Sequence, residues 1–353
     1  MRRAVALGFG LLAGACATLA DTGGGDQNLP NARVGPFREI AQEELGNNRV
    51  APYALRDDDD FPRDASVMDV DGDPATLEAW GYVARTEPDP DADPDPAAPP
   101  TAIVRHVGLD GRSFDRNPVT VLEPAEAWEG GTVGAPSALR VGEEVWLYYG
   151  GSEGIGLATS SDGASFSRVG DGPVLAMADG GWELSPPRNP GVIRLTDGRF
   201  QLFYDAETDA GPAIGEARSD DGITWTRVGE APVLAPASTI DAAGAEAPWP
   251  LVAESAEGRS IEYLYYGAVD ADGKATVAIA AREGTTGNFQ RGTGAVFGSG
   301  GSLGPTQPCV LRYPEHTLLF ATQLAGISSA QQYPAVAIGV APATIALPAP
   351  EPP

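Results

Sequence analysis

The chain repeats itself. Residues 155–168 read IGLATSSDGASFSR and are followed by Gly172-Pro173-Val174-Leu175; residues 214–227 read IGEARSDDGITWTR and are followed by Ala231-Pro232-Val233-Leu234. An earlier copy runs through residues 103–107, then Asp110-Gly111-Arg112-Ser113-Phe114-Asp115-Arg116 and Asn117-Pro118-Val119. An eroded copy occupies 277–282 and Asn288-Phe289-Gln290-Arg291, and a fifth keeps only its first strand, 335–340. Each copy reads as a strand, a tight turn at Asp-Gly and a second strand opening with an aromatic, because glycine supplies the positive φ that a short hairpin needs. Another pair of strand patterns precedes each copy, at 65–68 and 77–82, 136–139 and 145–149, 190–193 and 200–204, 248–252 and 261–266, and 308–311 and 317–320.

Pro136, Pro190, Pro248 and Pro308 open the leading strands at spacings of 54, 58 and 60 residues. The step from Ala65 to Pro136 is 71, because the first unit carries an insert over 87–100. Four strands at this period make one propeller blade. Five units therefore predict an all-β, five-bladed β-propeller with four antiparallel strands per blade, the blades lying near 56–124, 125–178, 179–237, 238–299 and 300–345. The last unit lacks a fourth strand. An N-terminal strand near 48–55 is expected to supply it, closing the ring and covering its open edges.

Composition narrows the function. The 45 glycines and 32 prolines suit many turns. A net charge of −26 repels phosphate backbones, so no nucleic-acid partner is expected; most of the charge reads as a solvated acidic surface. The insert, rich in Asp-Pro, should stay an extended solvated loop. Asp69-Val70-Asp71-Gly72-Asp73 has the spacing of a Ca²⁺ loop, but it falls where a hairpin turn is due, and the turn is the expectation there. No cofactor is expected, with Ca²⁺ as the alternative reading of the acidic charge. His106 falls in an outer-strand pattern and His316 at a predicted turn, so neither points to a metal. Cys309, in an apolar strand pattern, reads as a buried small side chain.

The N-terminus reads differently. Arg2 and Arg3 precede an apolar run of 12 residues, 4–15, too short to span a bilayer permanently. The run ends in Leu12-Ala13-Gly14-Ala15-Cys16, which resembles a bacterial lipobox, with Ala13 where leucine is usual. That resemblance implies a signal peptide over 1–15, lipidation of Cys16, and an exported, membrane-anchored protein of the cell envelope. Residues 16–32 read as a flexible tether, 33–345 as the propeller and 346–353 as a Pro-rich tail.

The phrase YYGG…IGLATSSDGASFSR…PVL, with its Pro136-Ser137-Ala138-Leu139 strand, resembles five-bladed glycoside hydrolases, chiefly family 43 and its relatives including the β-fructosidases. The resemblance implies a central funnel that takes a glycan, with carboxylates where the inner strands enter it. One carboxyl would protonate the leaving oxygen and another would activate water or attack the sugar. Asp64 matches the first-blade Asp of the family, followed by Ala65 instead of proline. The next two positions hold Ala135 and Asn189, neither able to transfer a proton. In a shifted frame, Arg188-Asn189-Pro190 is similar to the Arg-Asp-Pro of fructosidases, and Glu246-Ala247-Pro248 to an acid site one blade later. Ring closure suggests Asp64 and Glu246 as the catalytic pair.

Recurrence separates architecture from function. Seven residues before the inner-strand prolines stand Glu129, Glu183 and Asp241, with Asp58 in the equivalent place of the first unit and Trp128 and Trp182 before two of them. The set is either architectural or a ring of carboxylates and indoles for sugar hydroxyls at the funnel mouth. Residues found in one blade only are Asp64, Arg188, Asn189, Glu246, Trp249 and Gln307; Arg188, Asn189, Trp249 and Gln307 join the Glu129 set as substrate-binding candidates, while Glu246 and Asp64 carry any chemistry. A glycan-binding propeller that hydrolyses its ligand, one that only binds it, and a protein scaffold are the three readings the sequence leaves open.

Overall fold

The computed structural model describes residues 35–45, 53–55, 62–70, 78–86, 98–108, 112–115, 117–254, 259–298, 304–312, 317–328 and 331–341. The expected signal peptide, Cys16, the tether, the Pro-rich tail, Asp58, His316, most of the first-blade insert and the centre of the Asp69–Asp73 segment lie outside them.

Five antiparallel sheets form a five-bladed β-propeller. The innermost strands are Arg63–Asp69, Gly134–Val141, Arg188–Arg194, Gly244–Glu254 and Thr306–Arg312. Each pairs with a second strand, which pairs with a third. Short outer strands complete the first four blades, ending with Val119–Leu122, Ser167–Arg168, Thr226–Arg227 and Gln290–Arg291. Helix is confined to two single turns among the described residues, Gln42–Glu44 and Ala127–Glu129. The fifth blade is finished from the other end of the chain. Its third strand, Gln331–Ala341, pairs antiparallel with both Arg38–Glu39 and Tyr53–Leu55.

The blades are tied to one another by side chains at repeating positions. Ser66 Oγ accepts the Ala138 N–H at 2.9 Å and Ser137 Oγ the Val192 N–H at 3.1 Å. Cys309 plays the same part at the closing interface, its Sγ 3.2 Å from the Val67 nitrogen, and it is fully buried. Farther out, Tyr82 Oη donates to the Gly163 carbonyl and Tyr148 Oη to that of Gly222, each from the preceding blade. The Asp-Gly turns are therefore docking points as well as bends. Gly163 has φ 68°, and a Cβ there would sit 2.2 Å from the Trp80 ring, so both its conformation and its size are required. The turns are wider than the tight hairpin the sequence suggests: Ser160 ends one strand and Ser167 opens the next. The aromatics Phe166 and Trp225 precede their outer strands and pack against the inter-blade core. His106 lies in the third strand of the first blade, its Nδ1 2.9 Å from the Asp115 carbonyl.

Candidate functional site

Among the described residues, five that are not glycine have positive φ: Asp64 (54°), Ala135 (46°), Asn189 (50°), Ala247 (48°) and Gln307 (53°). There is one per blade, at the entrance of each inner strand, immediately before Pro136, Pro190, Pro248, Pro308 or, in the first blade, Ala65. Each sits in a bulge, where pairing with the second strand skips from Arg63 to Ser66, Gly134 to Ser137, Arg188 to Gly191, Glu246 to Trp249 and Thr306 to Cys309. A bulge re-aims the side chain. The left-handed conformation costs an L-residue about 1–2 kcal/mol, so the surrounding sheet enforces it. These five residues, the prolines or alanine after them and Trp249 line a cavity of about 30 Å³ on the axis of the ring. This cavity, the throat of the ring, is large enough for water but not for a sugar ring.

The register settles how the candidate residues correspond. Asp64, Ala135 and Asn189 occupy equivalent places, and Ala247 and Gln307 complete the set. Glu246 stands one residue earlier, in the place held by Arg63, Gly134, Arg188 and Thr306 in the other blades. Opposite it on the second strand is Gly267, whose absent side chain leaves room: a Cβ there would meet Glu246 Cγ at 3.2 Å.

Two carboxyls at this end are pushed into the range of physiological proton exchange. Asp64 is only 8% exposed, and burial drives its pKa up to about 6 against the opposing pull of Arg63, the Ala135 N–H and the Thr322 hydroxyl. Asp64 Oδ2 accepts the Ala135 N–H at 3.3 Å, while its own N–H donates to Thr322 Oγ1 at 2.8 Å. Burial and then the nearby Asp205 raise Glu246 to about 7; Arg188 opposes them, and Glu207 and Asp64 add to the rise. The charge of Asp64 thus reaches Glu246 as the smallest of these contributions.

Arg188 and Asn189 are held by a residue that the sequence did not single out. Asp205, fully buried on the second strand of blade three, accepts Arg188 Nε at 2.7 Å on one oxygen. Its other oxygen accepts Asn189 Nδ2 at 2.7 Å and the Ala247 N–H at 2.9 Å. Arg188 also donates to Glu207. Asp205 is hidden in the pattern Phe200-Gln201-Leu202-Phe203-Tyr204, which reads as a plain core strand. Its signal is comparison between blades, for the same place holds Ala84, Gly150, Gly267 and Thr322 elsewhere.

Glu129, Glu183 and Asp241 have other partners. Glu129 accepts from Tyr149 Oη at 2.8 Å and from Arg168 Nε at 2.7 Å, and Glu183 from Tyr204 Oη at 2.6 Å and Arg227 Nε at 2.6 Å. Asp241 repeats the arrangement with Tyr266 Oη at 3.1 Å and Arg291 Nε at 2.6 Å. Each carboxylate staples the loop before an inner strand to the second and outer strands of its own blade. Burial pushes Glu129 up, but Arg168, the N–H groups of Ala125 and Glu126, and Tyr149 outweigh it and leave the carboxyl below its ordinary range. Trp128 and Trp182 pack over Tyr149 and Tyr204, at ring separations of 5.7 and 6.1 Å. None of these five residues lines the axial cavity, whereas Trp249, Asn189 and Gln307 do. No cluster of His, Cys, Asp and Glu suited to a metal occurs among the described residues.

Solved structures with this fold are glycoside hydrolase-like. One described as a glycoside hydrolase aligns over 89% of this chain and 100% of its own, with a TM-score of 0.64 and 16% identity. One from the family 130 mannoside phosphorylases, a family said to contain hydrolases acting on β-1,2 mannosidic linkages in Candida mannan, aligns over 95% of this chain and 100% of its own, with TM-score 0.61 and 14% identity. A family 43 endo-arabinanase from Bacillus licheniformis aligns over 82% and 96%, with TM-score 0.54 and 15% identity. At these identities the likeness is one of fold. No family model matches the chain, and no curated protein does.

Proposed function

We propose that this protein binds a glycan in the funnel of its propeller and hydrolyses it, with Glu246 as the proton donor and Asp64 as the base or nucleophile. The observation that carries this reading is a pair of blade-unique carboxyls, Asp64 in the wall of the axial cavity and Glu246 beside the wall residue Ala247, raised to about 6 and about 7. A proton donor must still hold its proton near neutral pH, and its partner must be able to lose one. The glycoside hydrolase-like fold supports a sugar as ligand. Asn189, Gln307 and Trp249 would contact it, the indole offering an apolar face to sugar C–H groups. Glu129, Glu183, Asp241, Trp128 and Trp182 are assigned to the scaffold instead, because their partners are internal.

A second reading is favoured by Ala135 and Asn189, which stand where the resemblance implies carboxyls: glycan recognition without turnover. A glycan-binding and hydrolysis screen of the soluble chain from about residue 26, with Glu246→Gln and Asp64→Asn beside it, separates the two. Turnover falling by about 100-fold or more in both variants supports the hydrolase, the usual loss when a general acid or base is removed. Binding without turnover selects recognition alone, and no glycan signal removes both. Placement in the cell envelope through a lipid on Cys16 is part of the proposal and rests on the lipobox-like sequence; incorporation of labelled palmitate, lost in Cys16→Ser, tests it.

A further inference from the structure

The interface between blades three and four is built differently from its neighbours. Between blades one and two the Trp80 indole lies against Gly163 of the next blade's turn, and between blades two and three Trp146 lies against Gly222; an added Cβ would meet the rings at 2.2 and 2.7 Å. The register puts Gln201 in the place of those tryptophans. Gln201 is fully buried, and its Nε2 donates inward to Glu216 at 2.9 Å. No indole fills the mouth of this interface, and a cavity of about 460 Å³ opens there, between blade three and the turn of blade four that carries Thr285.

The cleft lies on the face opposite the throat. Asn189 and Pro190, at the start of an inner strand, line the throat, and Leu195, just past the end of that strand, lines the cleft. The strand has seven residues, about 20 Å. Size divides the two as well. The throat holds about 30 Å³, whereas the cleft falls within the range of roughly 300–1,000 Å³ that small-molecule sites occupy.

The wall is organised from beneath. Arg218 Nε donates to buried Glu216 at 2.9 Å, and its Nη2 donates to the Thr285 carbonyl of the next blade. Glu216 is held in turn by buried Arg282 at 2.8 Å, and Arg282 by buried Glu262 at 2.6 Å. The guanidinium is thus fixed across the blade boundary, and Nη1 has no partner among the described residues. Asp220, on the same wall, is exposed and accepts no hydrogen bond from a described residue. Its neighbour Asp221 is taken up by the N–H groups of Ile223 and Thr224. Thr226 adds an exposed hydroxyl, and Leu195 and Phe200 add apolar surface.

A fixed donor beside an unengaged carboxylate disfavours simple ions. An anion would meet Asp220 on a chain of net charge −26, and a cation would meet Arg218. A sugar hydroxyl both donates and accepts, so a single polyol satisfies the two groups together. We propose that this cleft is a second, non-catalytic binding site for a neutral oligosaccharide, on the face opposite the throat. It holds the protein on a polysaccharide and leaves the throat open, and two sites on one polymer raise the effective concentration of each for the other. The proposal does not rest on the throat binding anything.

The test is electrophoresis of the full soluble chain through native gels cast with neutral mannan or with linear arabinan. All samples carry Asp64→Asn and Glu246→Gln, which remove turnover and the throat carboxyls. The expected result is retardation by at least one polymer, with the dissociation constant raised about tenfold or more by Asp220→Ala, the usual worth of a hydrogen bond to a charged group. Thr226→Trp, which returns an indole to the cleft, should abolish it. Asp220 and Thr226 are both exposed, so each variant should keep the parent's urea midpoint, and the two check each other. Retardation by neither polymer, or retardation that survives both folded variants, overturns the proposal. Failure of the hydrolase reading looks different: the parent turns over no glycan while retardation at the cleft persists.

Discussion

The protein buries two kinds of acid. Glu129, Glu183 and Asp241 are each met by an arginine and a tyrosine of their own blade. Asp64, in the axial ring, and Glu246, beside the ring residue Ala247, are met by far less: Asp64 by one backbone N–H and a threonine hydroxyl, Glu246 by no described hydrogen-bond donor. The first set recurs from blade to blade and the second does not. Burial alone is therefore uninformative about function in this fold. What sets Asp64 and Glu246 apart is that neither is met by the arginine and tyrosine pair that holds the recurring acids.

The comparison breaks most visibly if a staple is removed. Glu129→Ala leaves Arg168 and Tyr149 facing a void and should cost about 3–5 kcal/mol of stability in urea titration, with no effect on the Glu246 midpoint. A loss under about 1 kcal/mol would deny the staple its role. The next contrast is in pH. The staple carboxyls lie below their ordinary range, so their contribution is present above the unfolded-state value and is lost as acid takes the pH down through the folded one. Glu246 has the opposite sign. Its folded value, about 7, exceeds the ordinary 4.5, so stability is full below pH 4.5 and is lost as pH rises toward 7, by roughly 3 kcal/mol in all. Glu246→Gln should remove that slope, seen as a higher melting temperature at pH 8 and little change at pH 4; a parallel shift at both values would mean that the glutamate is ordinary.

Smaller effects probe the backbone of the throat. Asp64→Val places a β-branched residue at φ 54° and should cost about 2 kcal/mol, whereas Asp64→Asn, which tolerates that conformation and keeps an acceptor for the Ala135 N–H, should stay within about 1 kcal/mol of the parent. Equal losses in the two would show that the lost charge, not the conformation, sets stability there. Ala247→Gly should be the mildest change, a gain of about 0.5 kcal/mol in chemical denaturation, since relief of left-handed strain slightly exceeds the entropy that glycine adds to the unfolded chain.

The five blades were legible in the sequence because every repeat carries the same turn and strand punctuation, and because a strand period is read one segment at a time. The axial ring was half legible. Prolines marked four of its positions, from which Asn189 and Gln307 followed, while Asp64, before Ala65, came from the family resemblance. The sequence offered Glu246, two residues before Pro248, but the ring position in that blade belongs to Ala247. Asp205 was not found, since its meaning lies in two neighbours that are 16 and 42 residues away, Asn189 and Ala247. The split of the acids into staples and free groups was equally invisible, because the partners Arg168, Arg227 and Arg291 stand about 40–50 residues downstream. Periodicity reports which face a residue occupies; it does not report what waits there.

The pairing of Arg38–Glu39 and Tyr53–Leu55 with Gln331–Ala341 makes the molecule a clasp whose two halves lie at opposite ends of the chain. Synthesis delivers the hook about 300 residues before the eye. Until the final strand emerges, blade five has no edge to close on, and the cavity that draws one residue from each blade has no defined width. The funnel is therefore a property of the whole circuit and of no single blade. Contacts this distant in sequence slow folding, so the ring closes as a late, long-range event rather than blade by blade.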